Sequence, residues 1–379
     1  GNSHKNKVAE LVGASDAQSS RSLPAQQTNN LNAPETGTHS GFVGLQEIAH
    51  ANETDTEGVS AQMLVGDIFA HTEVLAAPVF EGLDSGFERT RANLKVQDGC
   101  NNRCSFCIIP FVRGQSRSLD AEKVVAEAEQ LVRAGFQEIV LSGINLGRWG
   151  RDLARKDRFT NLLRYVLRRT SVSKLRISSV EPMDWTDELI ELVATEPRIA
   201  KHAHLPLQSG SDRVLRMMHR KYRPWHYEEK IQNIRSAMPH AAIGADVMVG
   251  FPGETDELFR ETYDFIDRLP FTYLHVFTFS ARPGTPAATM PNQVPAPVAR
   301  ERNRKLRDLI ARKNADFRRQ FVGTRMDAIT LARTGEAGFT DALSDNFLKL
   351  SIAEDHAPNQ WVSAEIVGLS EDGLTARLA

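Results

Sequence analysis

Apolar runs typical of buried strands alternate, from residue 93 onward, with stretches in which apolar residues recur every three or four positions. The runs, some with the loop that follows, predict strands at 93–97, 137–143, 174–182, 202–210, 242–253 and 272–280. The periodic stretches predict helices at 119–135, 159–170, 187–195, 212–218, 227–238 and 256–269. Asp120 is placed to cap the first of these helices, and Gly135 to end it. Six β/α units in about 190 residues predict parallel strands with right-handed crossovers.

The natural closure of six such units is a partial (β/α)6 barrel, so the predicted fold class is α/β. A polar or glycine-rich cluster follows every predicted strand: DGCNNRC, SGIN, SSVEP, LQSGSD, VGFPGET and SARPG. In barrels of this kind the active site lies at the carboxyl ends of the strands. The pattern therefore gathers these six loops at one mouth of the barrel.

The rest of the chain divides into three parts. Residues 295–321 predict a long basic helix, which ends the barrel region of 89–320. Short strand patterns over 321–379 predict a small OB-like all-β barrel. Residues 1–14 predict one short helix or the end of one, and 15–88 have the polar composition of an acidic flexible linker.

Composition and charge narrow the class of protein. The 379 residues are 41% hydrophobic and 25% charged, as in globular proteins, and no apolar run approaches the roughly 18 residues that span a membrane. The net charge is −2, but 89–320 carries +12 while 15–88 carries −10 and 321–379 carries −5. A basic middle makes nucleic acid a reasonable partner; a solvated surface with biased charge explains it equally well.

All three cysteines lie in one loop after the first strand: Cys100, Cys104 and Cys107, spaced C-x3-C-x2-C. Clustered cysteines exclude a disulfide framework and favour a reducing compartment, here the cytoplasm. Three thiolates this close can bind three corners of an iron–sulfur cube, which leaves one iron open for a small ligand. The alternatives are zinc, with His202, His204 or another group as fourth ligand, and unliganded thiols. His202 and His204 point to one side of their strand, which suits a zinc pair, but inward polar packing is the favoured interpretation.

The cysteine spacing, with an aromatic residue before the third cysteine, resembles the radical S-adenosylmethionine (SAM) superfamily. The phrases VQDGCNNRCSFCIIPFVRGQSRS, EIVLSGIN, RISSVEP, HLPLQSGSD, DVMVGFPGET and SARPGTPAA resemble the methylthiotransferase family in order and spacing. VQDGCNN, SSVEP and SGIN are most similar to the branch that acts on threonylcarbamoyladenosine in tRNA. The resemblance covers about 89–320 closely, and 321–379 is similar, more loosely, to the TRAM module of these enzymes.

The resemblance implies that Cys100, Cys104 and Cys107 hold a 4Fe–4S cluster whose open iron binds SAM. An electron from the cluster would cleave SAM to a 5′-deoxyadenosyl radical. The expected reaction adds a methylthio group at C2 of N6-threonylcarbamoyladenosine 37 of tRNA, with a second SAM as methyl donor. The alternatives within the family are isopentenyl-adenosine 37 of tRNA and a ribosomal-protein aspartate. Outside it, the alternatives are a non-catalytic RNA-binding protein with a structural zinc and an inactive truncated product.

Ten residues in the loops after the strands match positions near SAM in the family: Phe106, Ser142, Gly143, Asn145, Glu181, Gln208, Ser209, Gly250, Phe251 and Pro252. Small residues in the SGIN loop let the backbone approach the methionine end of SAM. Glu181 would meet the ribose hydroxyls, while the backbone of Phe106 and the GFPG turn would face the adenine. For each, a structural role in a turn or a helix cap is the alternative.

A basic run near the predicted mouth is expected to hold tRNA phosphates: Arg213, Arg216, Arg220, Lys221 and Arg223. The helix at 299–320, with nine bases and three acids, would extend this surface, and a solvated helix face is the alternative. Phe339, Phe347 and Trp361 could stack on bases, but a place in the barrel core is favoured for most of them.

One departure from the family concerns the amino-terminal side. Full-length members carry an N-terminal domain with three further cysteines for a second 4Fe–4S cluster, which takes part in sulfur insertion. The printed sequence lacks these cysteines, and residues 1–14 resemble the last turn of that domain. The expectation is that the start of the protein is missing here, so that this chain binds the first cluster and SAM without completing methylthiolation.

Overall fold

The computed structural model describes residues 90–332 and 338–379. The predictions for 1–14 and 15–88 lie outside these residues. The first seven strands are β1 (Ala92–Asp98), β2 (Arg117–Ser118), β3 (Glu138–Gly143), β4 (Lys174–Ile177), β5 (His202–His204), β6 (Ala242–Val249) and β7 (Tyr273–Thr278). Six of them are the predicted strands, and β2 is an additional two-residue strand that pairs antiparallel with β1.

These strands form two sheets, ordered β2-β1-β3-β4 and β5-β6-β7. All neighbours other than β1 and β2 run parallel. A bridge between Leu175 in β4 and Ile199, just before β5, lies at the junction of the two sheets. The six parallel strands and the helices between them confirm the predicted partial α/β barrel.

The helices are α1 (Ile109–Arg113), α2 (Ala121–Arg133), α3 (Phe159–Arg169), α4 (Asp187–Thr195), α5 (Asp212–Met217), α6 (Pro224–Ala237), α7 (Asp256–Arg268) and α8 (Ala296–Arg319). Each of α2 to α7 buries one apolar stripe, as Val124, Ala128 and Leu131 do in α2. This is the pattern that the three-to-four-residue spacing predicts. None of the helices in the described ranges has both the length and the apolar content that crossing a membrane requires.

Asp120 caps α2 as predicted, because its Oδ1 accepts a hydrogen bond from the backbone N of Glu122 at 2.9 Å. We expect Asp120→Ala to lower the free energy of unfolding by about 1 kcal/mol, since an amide of the first turn loses its acceptor. Asp120→Asn keeps the acceptor and is expected to stay close to wild type. Denaturant unfolding of both variants measures the difference, and equal losses in the two would contradict the capping role.

A second, smaller barrel follows α8. Its strands are β8 (Arg325–Thr330), β9 (Phe339–Ser344), β10 (Lys349–Ala353), β11 (Trp361–Leu369) and β12 (Leu374–Leu378), closed in the order β10-β12-β11-β8-β9. Its core includes Ile352, Ala364 and Ile366, each fully buried. The closed five-stranded barrel confirms the predicted all-β region after the α/β barrel.

The small barrel contacts the amino-terminal ends of the parallel strands. Phe347, in the turn between β9 and β10, stacks on His202 at the start of β5 with 4.4 Å between ring centroids. Arg176 of β4 donates to the carbonyl oxygens of Ser344 and Asp345 at 3.2 and 3.1 Å. Because parallel strands share one direction, these contacts lie at the opposite mouth from the loops that follow the strands.

Candidate active site around the cysteine loop

The cysteine loop leaves β1 through a tight turn. Gly99 has φ of +68°, and a Cβ at this position would lie 1.9 Å from the carbonyl oxygen of Gln115. The backbone N of Cys100 donates to the carbonyl of Gly114 at 3.1 Å. Only glycine fits this turn without displacing the backbone, so DGC brings the first cysteine to the carboxyl end of β1.

The middle of the loop is attached to the carboxyl end of α5. Ser105 donates its backbone N to the carbonyl of Met218 at 3.2 Å, and its Oγ to the carbonyl of Met217 at 2.8 Å. Its own carbonyl accepts from the N of Ala287 at 2.9 Å. Ser105 is buried, so these bonds fix the loop between Cys104 and Cys107 against two other parts of the barrel.

Hydrogen-bond donors surround the cysteine sulfur atoms. The Nη1 of Arg220 lies 3.2 Å from Cys104 Sγ. Asn145 Nδ2 and the backbone N of Asn102 lie 3.6 and 3.4 Å from Cys100 Sγ. All three cysteines are free and partly exposed. A set of donors aimed at sulfur suits thiolates, which accept hydrogen bonds and bind metal.

Burial, unlike these hydrogen bonds, disfavours the thiolate form of the cysteines. It raises the pKa of the Cys100 and Cys107 thiols above their ordinary value, against hydrogen bonds that lower it. A coordinating metal overcomes this cost, because thiols bound to a metal are deprotonated. The three sulfurs and their donors therefore fit an iron–sulfur cluster held by three cysteines.

Arg220 is a buried arginine at the centre of this site. Besides Cys104, its guanidinium bonds the carboxylate of Glu181 and the hydroxyl of Tyr222. Its side chain is 5% exposed. The structure thus places Arg220 against the cysteine loop, whereas the sequence suggested a position among phosphate-binding cations.

Gln97 organises the site and was missed from the sequence. It is fully buried at the end of β1, and its Nε2 donates to the carbonyls of Asp98 and Gly99 at 2.8 Å each. Its Oε1 accepts from the backbone N of Asn145 at 2.7 Å. One amide therefore joins the cysteine loop to the SGIN loop. A glutamine at the end of a buried strand was the available signal, because a polar group there requires partners.

The SGIN loop provides close backbone approach. A Cβ on Gly143 would lie 2.9 Å from Gln97, and Ser142 Oγ donates to Asn93. Asn145 Oδ1 is buried and has no hydrogen-bond partner among the described residues. Such an orphaned acceptor beside the cysteines fits an ammonium group of a ligand, and the methionine end of SAM carries one.

The remaining predicted SAM contacts, apart from Phe106 in the cysteine loop, lie in the segments that follow β5 and β6. Gln208 has φ of +65° and bridges to β6, whereas Ser209 is buried and bonds Thr262 Oγ1 at 3.0 Å. Phe251 is fully buried in the GFPG turn, and its ring meets Phe106 edge-on at 6.5 Å between centroids. Two further predicted residues, Gly250 and Pro252, flank Phe251. The loop therefore faces an apolar wall, which suits an adenine ring.

The basic run divides between surface and interior. Arg213, Arg216 and Lys221 are exposed, and Arg216 pairs with Asp212 at 2.8 Å. Arg223 is partly exposed and pairs with the same carboxylate at 3.4 Å. Along α8, Arg302 and Arg318 are buried, while most of the other basic side chains are exposed.

The aromatic and histidine residues singled out in the sequence lie elsewhere. Phe347 packs on His202, and Trp361 lies beneath Lys174 with 5.1 Å between the amine and the ring centroid. His202 Nε2 lies 2.6 Å from the hydroxyl of Tyr273. The polar contacts of His204 are with Ser179 Oγ and Asp246, rather than with a cysteine.

Comparison with known proteins gives consistent matches. The Radical SAM superfamily pattern matches residues 94–266. Threonylcarbamoyladenosine tRNA methylthiotransferase MtaB of Bacillus subtilis is 42% identical over 286 residues, which are 74% of this chain and 63% of that protein. MtaB of Aquifex aeolicus is 38% identical over 77% of this chain and 70% of that protein. tRNA-2-methylthio-N(6)-dimethylallyladenosine synthase of Corynebacterium urealyticum is 39% identical over 62% of this chain and 45% of that protein.

The chain thus spans less than two thirds of the length of the Bacillus protein and slightly more of the Aquifex one. Radical SAM proteins bind a 4Fe–4S cluster and SAM, and the matched range includes all three cysteines. The site's thiolate donors, orphaned acceptor and apolar wall fit both groups. This chain belongs to the radical SAM methylthiotransferase family.

Proposed function

We propose that the protein is a cytoplasmic tRNA methylthiotransferase that replaces the C2 hydrogen of N6-threonylcarbamoyladenosine 37 with a methylthio group. The observation that carries the proposal is the loop of Cys100, Cys104 and Cys107 with its sulfur-directed donors at the carboxyl ends of the parallel strands. The substrate assignment rests on the relatives, since two curated MtaB proteins match this chain over about three quarters of its length.

In this proposal Cys100, Cys104 and Cys107 hold the cluster. When bound, the cluster supplies the electron that cleaves SAM to a 5′-deoxyadenosyl radical. Arg220 holds Cys104 in place and balances its charge. Asn145 donates a hydrogen bond to Cys100, and its free Oδ1 would accept one from the amino group of SAM. Phe106 and Phe251 keep water from the adenine side. These residues bind and orient the cluster and SAM and exclude water. The bond changes at C2 depend on the chemistry that the cluster and SAM supply.

The tRNA would be held by exposed cations on the loop side of the barrel. Arg213, Arg216 and Lys221 are exposed and close in sequence to Arg220, which touches the cysteine loop. Contacts to phosphates position RNA without reading its sequence, so the base itself is selected inside the site. The small barrel is acidic and contacts the amino-terminal ends of the strands, so the exposed cations near the cysteine loop are the favoured RNA contact.

A second 4Fe–4S cluster belongs to the same proposal, because sulfur insertion in this family uses one. It would require cysteines beyond the three of the printed sequence, all of which belong to the first site.

Mass spectrometry of tRNA nucleosides tests the function directly. We expect deletion of the full gene to abolish the methylthio form of threonylcarbamoyladenosine and to leave its unmodified precursor in its place. The full-length gene should restore the nucleoside. The Cys104→Ala version should not, because a ligand of the cluster is lost. Asp120→Asn, which lies outside the cysteine loop and keeps the helix-cap acceptor, is the matched control and should restore it.

Two other outcomes would redirect the assignment. Loss of the isopentenyl counterpart instead would assign the chain to the branch of the Corynebacterium enzyme. If both nucleosides survived deletion in a strain without a redundant gene, the tRNA proposal would be wrong.

A further inference from the structure

We propose a second metal site inside the barrel, separate from the cysteine loop, in which His204, Asp246 and His275 bind one divalent transition metal ion, with zinc the favoured ion. It does not depend on the proposed tRNA reaction. The three residues come from adjacent parallel strands, β5, β6 and β7.

The strand register brings the three side chains together. Asp246 pairs directly with His275, and Gly244, two residues before Asp246, pairs with His204. Residues two apart in a strand share one face, so all three side chains enter the barrel interior. One ligand atom from each residue lies within 4.8 Å of the others, and His204 Nε2 lies 3.6 Å from Asp246 Oδ1. Tetrahedral zinc separates its nitrogen and oxygen ligands by about 3.3 Å, so small side-chain rotations complete the site.

The hydrogen bonding of His204 supports metal binding. Its Nδ1 lies 2.6 Å from Ser179 Oγ, which in the proposed site accepts the Nδ1 proton. This tautomer leaves the Nε2 lone pair directed at Asp246. A metal-binding histidine usually donates its second ring nitrogen in this way. Nε2 is buried and has no hydrogen-bond partner within the described part of the chain, and the side chain is 7% exposed.

Charge is consistent with the assignment. Burial lowers the pKa of His204 to about 4, with His275 contributing, so its imidazole is neutral near pH 7, as a ligand must be. Burial also raises the pKa of Asp246, and a cation beside it would offset that penalty. Two imidazoles and one carboxylate are a typical donor set for zinc, whereas magnesium and calcium prefer oxygen alone.

The site has room for an exchangeable ligand. The three residues line a cavity of about 600 Å³ that also includes Ser179 and Tyr273. His275 is exposed and Asp246 is partly exposed, so an ion can enter from solvent. Three protein ligands leave a fourth position for water or a substrate atom, as in catalytic zinc sites.

Metal analysis of the untagged, anaerobically purified full chain tests the proposal. We expect wild type to retain close to one zinc ion per chain after dialysis against a weak chelator, together with cluster iron. His275→Gln should lose the zinc and keep the iron. Cys104→Ala should lose iron and keep the zinc. His226→Gln, which alters another exposed histidine, is the matched control and should keep both. Because His275 is exposed, we expect its substitution to keep the fold.

X-ray absorption at the zinc edge identifies the ligands independently. A first shell of nitrogen and oxygen alone supports the site. The proposal is overturned by a zinc–sulfur shell, by equal zinc in wild type and His275→Gln, or by failure of wild type to retain added zinc.

Discussion

Arg220→Met is expected to lower the free energy of unfolding by about 3 kcal/mol and to reduce the iron content of the purified protein. The guanidinium bonds Cys104 Sγ, Glu181 and Tyr222 with three different nitrogens. Its removal leaves the Glu181 carboxylate without its partner, and that side chain is only 22% exposed. The expected loss of stability is at the lower end of the range for broken buried ion pairs, because Glu181 is partly exposed to water. Chemical denaturation and iron analysis measure the two effects.

The same change is expected to make the reduction potential of the cluster more negative. A positive charge and an N–H···S bond both favour the reduced cluster, and Arg220 provides both to Cys104. A redox titration of the reconstituted holoenzyme, followed by electron paramagnetic resonance, measures this shift. Arg220→Lys keeps the charge but not the planar fork, so its potential should fall between wild type and Arg220→Met.

Two variants separate the roles of Arg220. The double variant Arg220→Met/Glu181→Gln removes the unpaired charge, so stability should recover in part while the potential stays shifted. Arg223→Met alters a neighbouring arginine that pairs with Asp212, and it should leave the potential unchanged. A potential that follows stability across these variants, rather than the contact with Cys104, would contradict the role assigned to Arg220.

The order of strands and helices in the α/β barrel could be predicted because the local pattern of apolar residues matches the burial of each element. Strands such as β6, buried at nearly every position, read as continuous apolar runs, and helices such as α2 carry one apolar stripe. The missed elements lack these signals. β2 has two residues and α1 has five. Their structure depends on partners distant in sequence, which a local pattern does not contain.

The cysteine ligands of the candidate site could be predicted from the sequence, but the residues that hold the cysteine loop in place could not. The spacing of the cysteines is local, so it is visible in the sequence. Arg220 and Lys221 are neighbours in one basic run, yet the first is buried on Cys104 and the second is exposed. A turn at His219, where φ is +57°, separates α5 from these residues. A pattern of charges along the sequence cannot reveal such a turn. The role of Gln97 could not be predicted either, because it depends on a contact with Asn145, 48 residues away in the sequence.

The buried pair of Arg176 and Glu138 is expected to have the other large effect on stability. Arg176 Nε and Nη2 lie 2.8 and 3.1 Å from the two carboxylate oxygens of Glu138, and both side chains are essentially unexposed. Arg176 also donates to the carbonyls of Ser344 and Asp345 in the small barrel. Arg176→Met should therefore lower the free energy of unfolding by about 3–5 kcal/mol, because among the described residues Glu138 then keeps only Arg91 as a charged partner, at 3.3 Å.

The double variant Arg176→Met/Glu138→Leu separates the ion pair from the contact between the barrels. Replacing a buried pair with apolar side chains is often neutral, so the part of the loss due to the unpaired carboxylate should be recovered. The two carbonyls of the small barrel still lack their donor in the double variant, and that part of the loss should remain. Limited proteolysis reports on it: both variants should release the β8–β12 segment faster than wild type. Full recovery of stability, with wild-type resistance to protease, would mean that Arg176 serves the pair alone and that other contacts, such as Phe347 on His202 and Lys174 with Asp345, hold the two barrels together.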